Sequence, residues 1–269
     1  MITMTLKSIK KHIYGILGLV SFMTRIPVNI YCDLETVSKY LVFIVFIGAF
    51  IGLIGGLISL PFYYLNIDSE VVGILVLFTM LYIQGFHHVD GLGDCGDCWM
   101  VMGNKNRKLE VMKDKYMGVG AFMWILFFEL ISIFGIYYFY HILLNNMGGY
   151  LFIKLIIIIE TVSRLGLLSC ACCGIPHREG TGRYFVKNTN EFHLLVGYLF
   201  VLGLSYLLGI FKMGILLSTL SIMIGMLIAW YHNRTIGVVN GDVLGASCEI
   251  VRSMSFIVLI LTFNGLINY

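Results

Sequence analysis

The feature that most limits what this chain can become is a series of apolar stretches, each long enough to cross a bilayer. They run roughly over 40–64, 71–86, 119–143, 150–173, 194–211, 214–231 and 250–267. A helical span needs about 20 apolar residues, and lipid leaves only helices and closed barrels able to satisfy the backbone. Stretches of this length read as helices, so the sequence predicts an all-α polytopic transmembrane bundle of about seven spans. Charged residues make up only 12% of the chain, which excludes an ordinary soluble domain. No internal repeat or linker divides it, so residues 1–269 read as one domain. Before the first span, Ile13–Met23 follows Lys7, Lys10 and Lys11 and is too short to cross. No small-residue cleavage site follows it, so it reads as a retained interfacial or re-entrant helix.

Basic residues fix the orientation. Lys7 to Arg25, Lys105 to Lys115, Arg178 to Lys187 and Arg234 fall on one side of this map, and the other side holds almost only Lys212. The N-terminus and three polar loops are therefore expected in the cytoplasm and the C-terminus outside. The expected location is a multi-pass protein of the cell (inner) membrane, with its chemistry on the cytoplasmic face and the bilayer as a partner; self-association is left open. A net charge of +3, scattered along the chain, does not support nucleic-acid binding. The cysteines on the cytoplasmic side are expected as reduced thiols, and the Cys95–Cys98 pair lacks the second pair that a zinc site needs.

Between the second and third stretches lies GFHHVDGLGDCGDCWMVMGNKNRKLEVMKDKYMGVG, residues 85–120, with five of the fifteen acidic residues. Asp90, Asp94 and Asp97 fall at i, i+4 and i+7, so a helix here stacks three carboxylates on one face. Unpaired, they repel. A divalent cation removes the conflict, and hard oxygen donors favour Mg²⁺ or Mn²⁺ over zinc; a solvated acidic face is the plain alternative. His88, two residues before Asp90, suits a base, a metal ligand or a phosphate donor, or simply a helix end in water. Downstream, Arg107, Lys108, Glu110, Lys113, Asp114 and Lys115 mix cations with carboxylates, as a bound metal and a phosphorylated substrate require and as a solvated helix also allows.

Three further groups carry chemistry. Glu160 and Arg164 are four residues apart inside an apolar stretch, where each alone would cost several kcal/mol and where pairing also fixes helix rotation. The loop GIPHREGTGRYF brings Arg178, Glu179 and Arg183 among glycines that admit a close anionic oxygen. In RTIGVVNGDVLGASCEIVRS, Asp242 and Glu249 lie at i and i+7 over Gly245 and Ala246, a small-residue strip that lets another helix approach. Arg25, before Ile26-Pro27, reads either as a membrane-edge anchor or as a phosphate contact.

These blocks, in this order, resemble the cobalamin synthase family, the integral-membrane adenosylcobinamide-GDP ribazoletransferases. The resemblance runs through SFMTRIPV, HVDGLGDCGD, RKLEVMKDKYMGVGAF, SRLGLL, HREGTG and RTIGVVNGDVLGASCEI. Departures are modest: Val89, Gly93, Cys98 and Val238 replace family residues, and none removes a carboxylate. The resemblance implies a phosphoryl transfer in which the ribose 3′-hydroxyl of α-ribazole, or of its 5′-phosphate, attacks the cobinamide-side phosphorus of adenosylcobinamide-GDP and GMP departs. It implies Mg²⁺, or Mn²⁺, at Asp90, Asp94 and Asp97, with Asp242 and Glu249 as further ligands. Asp114 is a further ligand on the same footing, and His88 or one of Asp114, Asp242 and Glu249 is then the base. Arg164 acts on the phosphates, and Arg25, Arg107, Lys113, Arg178, Glu179, Arg183 and Arg234 contact the substrates.

Two other functions compete. A CDP-alcohol phosphotransferase needs D-x-x-D-G-x-x-A-R, and here His87 occupies the first Asp position while Asp94 and Cys95 stand in the places of the Ala and the Arg. A cation transporter would bind its ion near the bilayer midplane between repeats, whereas these acids cluster at one surface.

Overall fold

The computed structural model describes residues 2–65, 67–146 and 149–267. Among the described residues every regular element is a helix, with one isolated bridge between Pro176 and Val239, so the predicted all-α class holds. In chain order these are α1 (Ile2–Met23), α2 (Leu34–Ser38), α3 (Ile44–Tyr64), α4 (Ser69–Ile83), α5 (His87–Met100) and α6 (Lys105–Val111). They continue with α7 (Val119–Asn146), α8 (Gly149–Cys173), α9 (Gly182–Asn188), α10 (Glu191–Leu207), α11 (Phe211–Thr235) and α12 (Gly241–Ile267).

Among the described residues, four helices are long and apolar enough to cross a membrane alone: Leu41–Tyr64, Val119–Ile142, Phe211–Thr235 and Gly241–Phe263. Two bent pairs, α4 with α5 and α9 with α10, raise the number to six. Length and apolarity thus support four to six crossings rather than the seven expected. The remaining predicted span is α8, which is buried at every residue from Leu155 to Ala171. It is wrapped by α3, α10, α11 and α12 and carries Lys154, Glu160 and Arg164. It is the axis of the bundle.

Small residues set how closely that axis is wrapped. Gly48, Gly52 and Gly56 recur every four residues on α3. A methyl group at Gly48 would lie 2.5 Å from the Glu160 carbonyl, and one at Gly52 would lie 2.7 Å from that of Ile156. Helices in lipid associate through such close packing, because tails are as apolar as the side chains.

The acidic segment is helical, as its spacing predicted, but it does not continue α4. Gly85 and Phe86 both take left-handed backbone, at φ 76° and 61°, and α5 leaves at 95° to α4. Left-handed geometry costs a residue with a Cβ about 1–2 kcal/mol. The Phe86 ring offsets part of it by packing against Phe78 and Tyr82, with centroids 5.8 and 6.3 Å away. The bend turns the aspartates out of the line of α4 and across α12.

Candidate active site

Two helices make the site by touching. A methyl at Gly91 of α5 would fall 2.6 Å from the Asp242 carbonyl, and one at Gly245 of α12 would fall 2.9 Å from the His88 Cα. The small-residue strip expected on the last segment therefore receives α5, and Asp90 and Asp94 come to lie near Asp242. Asp94 feels the charges of Asp242, Asp90 and Asp97, and Asp242 feels that of Asp90. Asn240 aims the acid on α12: its Nδ2 donates to Asp242 Oδ2 at 2.6 Å, while its Oδ1 accepts the Val243 N–H at 3.1 Å.

Asp97 has a different employment. Its two oxygens accept the N–H groups of Gly118 at 2.7 Å and Ala121 at 2.8 Å, which caps the start of α7 from another helix. Asp97 still lies near enough for Asp94 to feel its charge, so Asp90, Asp94, Asp97 and Asp242 form one acidic group. Their donor atoms are not closed around one point: among the described residues, only His88, Cys248 and Glu249 have donor atoms all within 4.8 Å. An open set of hard oxygens fits Mg²⁺, which keeps several waters and takes one or two carboxylates plus substrate phosphates.

Beneath this crossing lies a buried knot of charge. Glu160 accepts from Arg164 across one turn of α8, the pairing its spacing predicted. It also accepts from Arg252 Nε of α12 at 2.5 Å, and Arg252 in turn bonds Glu249. Gln84, the last residue before the bend, donates to Glu249 at 3.2 Å and accepts from Arg164. All four charged side chains are at most 1% exposed. The two arginines offset the charges of Glu160 and Glu249, as burial at this depth demands, and Glu129 lies close enough to bear on Arg252. The knot joins the bend, α8 and α12, and His88 stands on it with Nδ1 3.8 Å from a Glu249 oxygen.

Two cavities open beside the crossing. The inner one, of 420 Å³, lies between α1, α9 and the α5–α12 crossing and is lined by Phe22, Gln84, His88, Asp90, Phe185 and Asp242 among others. The outer one, of 340 Å³, is lined by Lys113, His177, Glu179, Asn240 and Asp242 with Leu109 and Met112. Both volumes fall in the range of small-molecule sites.

The sequence profile of the cobalamin-5-phosphate synthase family matches residues 15–260. This chain belongs to that family. Among its relatives, an adenosylcobinamide-GDP ribazoletransferase of Clostridium tetani is 29% identical over 256 residues, covering 93% of this chain and 97% of the relative. Proteins of the same description from Clostridium acetobutylicum and Thermococcus onnurineus are 26% and 28% identical over 92% and 90% of this chain, and 96% and 95% of their own lengths. No solved structure gives a significant match.

The other residues that the family motifs single out are spread around the cavities. Lys113 and Glu179 pair at 3.1 Å across the mouth of the outer cavity, and the ammonium holds the Glu179 carboxyl below the usual carboxylate range. Arg164 and Glu249 lie in the knot, outside both cavity walls, and reach the site through Gln84 and His88. Arg107 pairs with Glu110 at 3.3 Å on exposed α6, and Asp114 accepts the Tyr116 N–H at 3.2 Å in the turn that follows. Arg178 offers its carbonyl to Arg183, whose guanidinium lies over Tyr184. Arg25 lies over Tyr82 and Arg234 over Trp230, at 4.6 and 4.9 Å from the ring centroids. None of these last six lines either cavity. Three residues that shape this candidate site carried no assignment from sequence: Gln84, Asn240 and Arg252. Of these only Arg252 left a signal, as an arginine well inside an apolar segment.

Proposed function

We propose that this chain joins adenosylcobinamide-GDP to α-ribazole, or to its 5′-phosphate, and releases GMP, giving adenosylcobalamin or its 5′-phosphate. The observation that carries the reading is the family match across residues 15–260, whose acidic motifs converge at one helix crossing between two cavities.

In the reaction the ribose 3′-oxygen forms a bond to the phosphorus on the cobinamide side. The bond from that phosphorus to the bridging oxygen breaks, and GMP leaves with that oxygen. The hydroxyl proton goes to His88, which lines the inner cavity. Asp90, Asp94 and Asp242 are the residues to hold Mg²⁺ or Mn²⁺, which when bound neutralises and orients the diphosphate. Asn240 fixes the direction of Asp242. Lys113 offers a cation at the outer cavity, where the departing phosphate gathers charge. Arg164 is a positioning residue, because it holds Gln84 at the bend from which α5 starts. The basic loops support a cytoplasmic face of the cell membrane for this machinery.

Purified protein in detergent, given both substrates and Mg²⁺, is expected to release GMP only when both are present. Exhaustive chelation should abolish release and added Mg²⁺ should restore it. GMP formed without α-ribazole would overturn the transfer, and undiminished turnover after chelation would overturn the metal.

A further inference from the structure

We infer that the two cavities divide the reactants: the inner cavity holds the base of the acceptor nucleoside, and the outer cavity holds the guanine nucleotide that leaves. This inference rests on the reaction proposed above and adds which wall binds which partner.

The walls differ in kind. The inner cavity is faced by the rings of Phe22 and Phe185, whose centroids lie 5.2 Å apart at 31°, and by Met23, Leu167 and Leu244. α-Ribazole carries a dimethylated benzimidazole, a flat uncharged bicycle that gains most from ring faces and apolar walls. The outer cavity has no Phe, Tyr or Trp in its lining and offers Lys113, His177, Glu179 and Asn240. Guanine presents a carbonyl, a ring N–H and an amino group, and it arrives with phosphate, so polar side chains and a cation suit it.

Geometry argues the same way. Nucleophile and leaving group lie roughly in line on opposite sides of the phosphorus in phosphoryl transfer. The cavities share one wall, made of Thr181, Gly182, Gly241 and Asp242, and differ in the rest. A methyl at Gly182 would fall 2.2 Å from the Gly241 nitrogen, so two backbones in contact form this partition. At its edge stands Asp242, which lines both cavities. The acceptor hydroxyl enters from the His88 side, its oxygen bonds to phosphorus while its proton passes to the imidazole, and the bridging oxygen leaves toward Lys113 with GMP. A large corrinoid, which fits neither cavity, stays outside both.

The test is steady-state kinetics of Phe22→Ala and Lys113→Ala, after wild-type protein has been seen to release GMP from the two substrates. Without that release the proposed reaction fails, and the cavity assignment is not what has failed. Phe22 is on α1 and 36% exposed, so its truncation spares the core. Phe22→Ala should raise KM for α-ribazole roughly tenfold, the usual loss of a base-stacking ring. It should leave KM for adenosylcobinamide-GDP and product inhibition by GMP within about twofold, and Phe22→Tyr should recover the acceptor KM. Lys113→Ala should do the reverse, weakening GMP inhibition and raising KM for adenosylcobinamide-GDP while sparing the acceptor. A Phe22→Ala enzyme with weakened GMP inhibition and an unchanged acceptor KM would overturn the assignment, as would two variants that shift the same substrate.

Discussion

Asp94 stands one turn from Asp90 on α5 and within reach of the charge on Asp242, so its removal withdraws one corner of the proposed cation site without emptying any core. Asp94→Asn is expected to keep the fold and to lower turnover at least about 100-fold, the scale of losing one preorganised electrostatic group. GMP release near the wild-type rate would reject it as a ligand. Arg252 belongs to stability instead. Arg252→Met leaves Glu160 and Glu249 buried with one arginine between them, which should cost about 3–5 kcal/mol and appear as a large loss of thermal stability in detergent. Turning Glu249 to Gln in the same chain should recover part of it, because one stranded charge is then gone. These residues were unequally legible. The aspartates and the Glu160–Arg164 pair announce themselves by helical spacing, which is a local property. Gln84 carries no charge and pairs with partners 80 and 165 positions away, a relation no local pattern encodes. Asp97 shares the periodicity of Asp90 and Asp94 and also accepts the N–H groups of Gly118 and Ala121; spacing gives a face and not a neighbour.

At the scale of helices, the site exists because α5 and α12 can touch. Gly91→Leu puts a branched side chain where even a methyl would lie 2.6 Å from a carbonyl. The two helices must then separate, and the variant should retain helical circular dichroism while losing nearly all GMP release. A fully active Gly91→Leu enzyme would mean that this crossing does not set the carboxylates. The strip at Gly245 and Ala246 was readable as a place for close approach, but not which helix would arrive. The 95° bend was not foreseen either, since an apolar stretch running into an acidic one looks the same whether it continues straight or folds over. Gly85 permits the turn, and Phe86 is carried into left-handed backbone by packing that lies outside its own segment.

For the whole molecule, polytopic helical character was plain from the apolar stretches, whereas their number was not, because α8 carries Lys154, Glu160 and Arg164 and is sheathed by its neighbours. Orientation can be checked directly. With Cys32, Cys172 and Cys173 changed to Ser, the other thiols are buried. An impermeant maleimide should then label Met102→Cys, 98% exposed beside α5, from the cytoplasmic side only. It should label Leu207→Cys, 82% exposed at the end of α10, from the outside only; the reverse pattern would invert the topology. The charge knot also bears on how such a molecule is made. Glu160 meets Arg164 within one helix, and Glu249 meets Arg252 within another. Each of these ion pairs can thus enter lipid already matched within its own helix, and the bond from Arg252 to Glu160 waits until α8 and α12 have come together.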